Sequence, residues 1–295
     1  IKSSLILLLT ATIWGVAFVA QSVGMEYIGP FTFNAIRCVL GGMVLIPVIL
    51  VLKKKKETGA ENQQKEDKKT LWMGGIACGV ILCIASNLQQ FGIMEASVGK
   101  SGFFTALYIV MIPVIGIFIG KRPGIKLWFC VALAVVGMYL LCMKDGSFTI
   151  ERADIMLLLC ALAFSFHILV VDYFSPKVDG VKMSCIQFFV CGVLSAVGML
   201  FSETPDISNI QAAWLPLLYA GLLSCGVGYT LQIVGQKGIN PVIASLIMSL
   251  ESVISALAGW VILGQVLSPK EILGCVLMFV AIIITQIPIG NKKTD

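Results

Sequence analysis

Long apolar runs dominate this chain. Between charged or Gly/Pro-bearing breaks, ten of them lie at approximately 4–23, 31–52, 71–91, 101–120, 125–143, 154–174, 182–201, 212–234, 241–263 and 269–289. An α-helix needs about 20 apolar residues to cross a hydrocarbon core roughly 30 Å thick. Without water to bond the backbone, only helices and closed barrels span that core. Barrel strands would alternate polar and apolar residues over segments of about ten residues, and these runs are continuously apolar. The charged fraction of 13% and the mean hydropathy of +0.96 fit no soluble domain, where about a quarter of residues are charged. Soluble enzymes, secreted disulfide scaffolds, coiled coils and disordered chains are thereby excluded. The expected fold class is an all-α membrane protein of ten transmembrane helices. The first run lacks a small-residue cleavage site and leads directly into a second, so it reads as a span rather than a removable signal.

Basic residues orient the spans, since lysine and arginine concentrate in cytoplasmic loops. With the N-terminus inside, 16 of the 21 Lys and Arg residues face the cytoplasm, four face the other side, and Arg37 lies within a span. Both termini are therefore expected in the cytoplasm. Lysines between residues 53 and 70 alternate with Glu57, Glu61, Glu66 and Asp67 without an apolar stripe, the pattern of a solvated topogenic loop. The net charge of +5 follows from this asymmetry and calls for no nucleic-acid partner.

Ten cysteines sit mostly inside apolar runs, among them Cys78, Cys83, Cys130, Cys160, Cys191, Cys225 and Cys275, and read as small buried hydrophobes. No Cys-x-x-Cys or Cys/His spacing suits a metal, and no glycine-rich phosphate loop follows a strand. The expectation is no metal, no cofactor and no ATP-driven step within the chain.

Ten spans divide into two sets of five, residues 1–146 and 147–295. Ala11-Thr12-Ile13-Trp14-Gly15 is similar to Ala161-Leu162-Ala163-Phe164-Ser165, and the fourth and ninth spans are each followed by a Pro/Lys break, at Pro123 with Lys126 and at Pro269 with Lys270. An odd number of helices per half inverts the second copy. Such repeats place a binding site near the midplane and open it to alternate sides.

Over essentially its whole length the chain resembles EamA-type members of the drug/metabolite transporter superfamily. The resemblance rests on Trp14-Gly15, on Asn34-Ala35-Ile36-Arg37, on Leu250-Glu251, and on Gly259-Trp260 with Gly264. It implies a secondary transporter of the cytoplasmic membrane of a bacterium that exports a small organic solute. Two positions depart from the family pattern. Ser252 replaces a proline after the Glu, which removes an expected kink in the ninth span, and Gln265 replaces a Glu after Gly264.

Ionisable side chains inside a bilayer are costly and face a partner or a cavity. Three stand out. Arg37 is read either as a fixed cation holding a neighbouring helix or as a contact to a substrate carboxylate or phosphate, and the resemblance favours the structural role. Glu251, near the middle of the ninth span, has three readings: binding a cationic group, exchanging a proton, or pairing with Arg37 or His167. His167, the sole histidine, is read as a packing residue or as a proton relay, because imidazole titrates near neutral pH. Uncharged candidates for a central cavity are Asn87 and Gln90, Tyr229 and Gln232, and a stripe of Ser245, Met248 and Ser249, with Trp14, Phe18, Phe103, Tyr108 and Phe164 as aromatic walls. Gly221, Gly226 and Gly228 are assigned to helix packing, with a hinge in the eighth span as a second role.

These features favour a monomeric carrier that moves an amino acid or related metabolite by alternating access, with protons as the candidate coupling ion. Uptake, or exchange of organic phosphates, stands as the alternative within the carrier class. A membrane enzyme would need His, Asp or Glu clustered at one face, and a channel a charged or carbonyl-lined filter. Neither pattern is present.

Overall fold

Where such runs end is decided by local chemistry. The computed structural model describes residues 2–58, 67–96, 98–120, 123–142, 151–263 and 268–287, and every regular element among them is helical. Among the described residues, eight segments are long and apolar enough to cross a membrane: Lys2–Gly24, Pro30–Lys54, Lys68–Glu95, Val98–Phe118, Arg152–Phe174, Gly180–Ser202, Trp214–Gln236 and Pro241–Ile262. Ile125–Leu140 is a shorter apolar helix. The last run forms Pro269–Gln286, whose first turn holds Pro269, Lys270 and Glu271. The segment expected as a loop at 53–70 is partly helical, since α2 (Pro30–Thr58) continues into it and α3 (Lys68–Glu95) starts inside it on an Asp67 cap. Residues 59–66 lie outside the described residues.

The remaining elements are α1 (Lys2–Gly24), α4 (Val98–Ala106), α5 (Tyr108–Phe118), α6 (Ile125–Cys142), α7 (Arg152–Phe174), α8 (Gly180–Ser202) and the short α9 (Ile207–Ala212). They are followed by α10 (Trp214–Leu218), a π-helix π1 (Tyr219–Tyr229), α11 (Thr230–Gln236), α12 (Pro241–Met248), α13 (Glu251–Leu263) and α14 (Pro269–Gln286). Helix starts are capped where the sequence supplies an oxygen. Asp179 accepts from the backbone N–H groups of Val181 and Lys182, and Asn240 from that of Val242 ahead of Pro241. Both satisfy donors that the first helical turn leaves without partners.

Three spans are irregular. The fourth breaks at Leu107, between α4 and α5. The ninth breaks at Ser249-Leu250 although Ser252 replaces a proline, so the expected loss of a kink is corrected. The physical cause is visible on the same face. Ser245, Ser249, Ser252 and Ser255 each donate to the carbonyl three residues earlier, at 2.9, 2.8, 2.6 and 2.8 Å, and such back-bonding bends helices. The eighth span carries π1, an unusually long π segment, since such helices are mostly single-turn bulges near functional sites. A Cβ at Gly228 would stand 2.7 Å from Trp14 Nε1, so the close approach of α1 requires glycine there.

Helices α7, α3, α8, α2, the π1–α11 segment, α1, α13 and the α4–α5 pair pack in that cyclic order, while α6 and α14 pack on each other. The outside is apolar: Phe201 is 88% and Val261 76% exposed. Polar residues lie inside, with Thr10, Gln21, Asn34, Arg37, His167, Gln187 and Glu251 all buried.

Candidate functional site

One helical face of α1 starts the site. Trp14, Phe18 and Gln21 recur at spacings of four and three residues, which brings them into line. Together with Arg37, Gln89, Thr105, Tyr108, Phe164, Ile168, Ser224, Tyr229, Gln232 and Glu251 they enclose a central cavity of about 30 Å³. That volume holds a water or two and no organic solute, so this conformation is closed around its centre.

Several polar wall residues are held by neighbours, while the Gln232 side-chain oxygen is buried without a partner. The Arg37 Nη1 group donates to Gln21 Oε1 at 2.8 Å, and its guanidinium stands 5.6 Å from the Phe33 ring centroid. The Tyr108 hydroxyl donates to Glu251 Oε1 at 3.0 Å. Tyr108 is the first residue of α5 and Glu251 the first of α13, so the two helix breaks bring this pair together. Gln89 Nε2 donates to Thr105 Oγ1 at 3.4 Å. Trp14 stacks at a tilt on Tyr229, with centroids 4.6 Å apart, and its indole N–H reaches the Ser224 carbonyl of π1 at 3.4 Å.

Arg37 and Glu251 are 2% and 4% exposed, line the same cavity, and form no ion pair with each other. The sequence reading that paired Glu251 with Arg37 or His167 is therefore corrected: each has a different, uncharged partner. His167 bonds Gln187 at 3.1 Å through Nε2. Because the Gln187 carbonyl oxygen only accepts, Nε2 carries the proton, and Nδ1 is buried without a partner.

Of the residues expected in the cavity, Trp14, Phe18, Tyr108, Phe164, Tyr229, Gln232, Arg37 and Glu251 line it. Asn87, Gln90, Phe103, His167, Ser245, Met248 and Ser249 do not. Asn87 faces away from it, accepting from Asn34 at 2.9 Å and donating to Ser195 at 3.0 Å. Its neighbour Gln89 takes the wall position expected of Gln90, one residue round the helix, while both polar atoms of Gln90 are buried without partners. Phe103 packs edge-on against Phe104. The serines spend their hydroxyls on their own backbone, and Met248 is buried in the hydrophobic core. His167 sits one layer behind the wall, its ring edge-on to Tyr229 at 6.0 Å. Gln21, Gln89, Thr105, Ile168 and Ser224 line the cavity without having been singled out. Helical spacing from Trp14, Tyr108 and Phe164 reaches Gln21, Thr105 and Ile168, whereas nothing local marks Gln89 or Ser224.

A helical body with an apolar exterior and a polar, charge-bearing centre defines an integral multi-pass membrane protein. Residues 1–143 and 151–287 each match the EamA-like transporter family. The chain belongs to that family and is a membrane transporter. It is 27% identical over 282 residues to an uncharacterized transporter of Archaeoglobus fulgidus, covering 95% of this chain and 84% of that one. It is 24% identical to the uncharacterized transporter YwfM of Bacillus subtilis, covering 99% and 96%. Among solved structures, one crystal structure superimposes with a TM-score of 0.77 over 97% of this chain and 96% of the other at 17% identity, a likeness of fold alone.

Proposed function

We propose that this transporter is a secondary carrier for a small zwitterionic solute, an amino acid or close relative, moved by alternating access and exported. The observation that carries the reading is the separation of Arg37 from Glu251. A buried guanidinium and a buried carboxyl group share one cavity, each held by a neutral partner rather than by the other. An ammonium and a carboxylate on one carbon complement that arrangement, and the Trp14, Phe18, Tyr108, Phe164 and Tyr229 walls suit an apolar side chain. An organic phosphate would want a second cation where Glu251 stands.

The reading includes ten spans arranged as two inverted halves, 1–146 and 147–295, with both termini cytoplasmic. Two separate family matches support it, and so does the packing. Exchanging α1 with α7, α2 with α8, α3 with the π1 span, the α4–α5 span with the α12–α13 span, and α6 with α14 turns each major helix contact into another that is present. The contact of α3 with α7 becomes that of π1 with α1; those of α2 with α8 and α6 with α14 map onto themselves. Tyr108 and Glu251 are equivalent positions in this exchange and meet each other across it.

The test is counterflow in liposomes with a panel of labelled amino acids. Saturable exchange is expected, lost in Arg37→Ala and strongly reduced in Glu251→Gln. Linear, non-saturating flux without counterflow would sink the carrier reading. Proton coupling predicts that Glu251→Gln or His167→Ala abolishes the response to a pH gradient while exchange is still measurable, and it fails if both variants keep the full response.

A further inference from the structure

At one end of the helical body the end of α3, the start of α7 and the end of α8 surround a groove of about 400 Å³, separate from the central cavity. Its apolar surface comes from Phe91, Met94 and Met156, and its charges from Glu95, Arg152 and Glu203. Met94 is 52% exposed, and the flanking Leu200 and Phe201 more so, which puts the groove on the lipid-facing surface where the helices leave the hydrocarbon. Glu203 is already engaged, its carboxylate accepting three hydrogen bonds from Phe31 and Thr32 at the start of α2. Glu95 and Arg152 line the same groove without an ion pair or a hydrogen bond to their side chains among the described residues.

Two opposite, unengaged charges above an apolar floor at the membrane interface have a specific complement. We propose that this groove binds a phospholipid whose headgroup carries both a phosphate and a primary ammonium. Arg152 bonds the phosphate, since a guanidinium matches two phosphate oxygens at once. Glu95 accepts from the ammonium, and the first methylenes of an acyl chain lie on Phe91, Met94 and Met156. A choline headgroup has no N–H to donate, and a glycerol headgroup has no cation for Glu95. The lipid binds as a fixed annular molecule and is not the transported solute.

Native mass spectrometry of the full chain, released from mixed micelles of phosphatidylethanolamine, phosphatidylcholine and phosphatidylglycerol, reads the preference directly. The expected result is retention of one phosphatidylethanolamine about tenfold above the other two, the factor that a hydrogen bond to a charged group supplies. Glu95→Gln should remove the preference for ethanolamine over choline, and Arg152→Ala should lower retention of all three. Glu251→Gln should leave lipid retention unchanged, so the result is independent of the transport reading. Melting temperatures confirm that each variant is folded, and Arg152→Lys serves where Arg152→Ala is not. Equal retention of the three lipids, or an unchanged preference in folded Glu95→Gln, would overturn the proposal. So would displacement of the lipid by free phosphoethanolamine or by amino acids at millimolar concentration, which would mark the groove as a solute site.

Discussion

Removing the Glu203 carboxylate should loosen the start of α2, and the size of the effect follows from the bonds it makes. Helix α2 opens with Pro30, which has no N–H, so the first donors needing a partner are those of Phe31 and Thr32. Both go to Glu203, at 2.8 Å to each carboxylate oxygen, with the Thr32 hydroxyl adding a third bond at 2.6 Å. Helix α8 is capped by its own Asp179, whereas α2 is capped from the far end of α8, so the cap also ties two spans together. Losing a cap costs about 0.5–2 kcal/mol, and a charged acceptor places Glu203→Ala near 2. If the cap forms only while these ends are closed, about 1–2 kcal/mol shifts that equilibrium roughly 5–30-fold. The assay is melting in detergent together with the rate at which an impermeant maleimide labels a cysteine introduced at Ser202. Gly29→Ala is the control that keeps the charge: its Cβ would fall 2.3 Å from the Glu203 carboxyl carbon, so the carboxylate must move. Both variants should melt lower and label faster. If both match the parent in melting and labelling, the cap contributes nothing and the reasoning is refuted.

Two further outcomes are expected. Tyr108→Phe removes the hydroxyl that bonds Glu251 and should cost about 1–3 kcal/mol, as leaving a buried polar group without its partner does, with a matching fall in exchange rate; unchanged melting and transport would show that the carboxyl group is satisfied by other means. His167→Leu and Gln187→Leu should each cost about 1–3 kcal/mol by leaving the other partner unsatisfied, while the double variant should cost clearly less than the sum; additive losses in chemical unfolding would show that the pair seen at 3.1 Å is not coupled.

Membrane residence and most span positions were legible because apolar run length is a local property and the bilayer demands it. The eight cavity residues found in advance are those whose type is costly or unusual inside a membrane, such as Arg37 and Glu251, or aromatics beside small-residue steps, such as Trp14 and Phe164. Local reading failed where the rotation of a helix decides. Gln89 and Gln90 are indistinguishable in composition, yet one faces the cavity and the other does not, because packing of α3 against α7 and α8 sets its rotation. Likewise the break at Ser249-Leu250 persists without a proline, because the serine ladder bends the helix from within. His167 carries a titratable ring in mid-span, but a single residue cannot reveal that Gln187, twenty positions away, is its partner.

The amino-acid sequence by itself determined that this protein lives in a bilayer, roughly where it crosses, and which scarce polar residues must be accounted for inside. Each follows from the energy of putting a side chain or a backbone into hydrocarbon, a quantity that depends on residue type and run length alone. Tertiary structure decided the rest: that Arg37 and Glu251 share a cavity without joining, that Tyr108 meets Glu251, and that Glu203 caps a helix 171 residues away in sequence. Those are pairings across helices, and they depend on rotation and crossing, set by side-chain packing over long separations that no local pattern records.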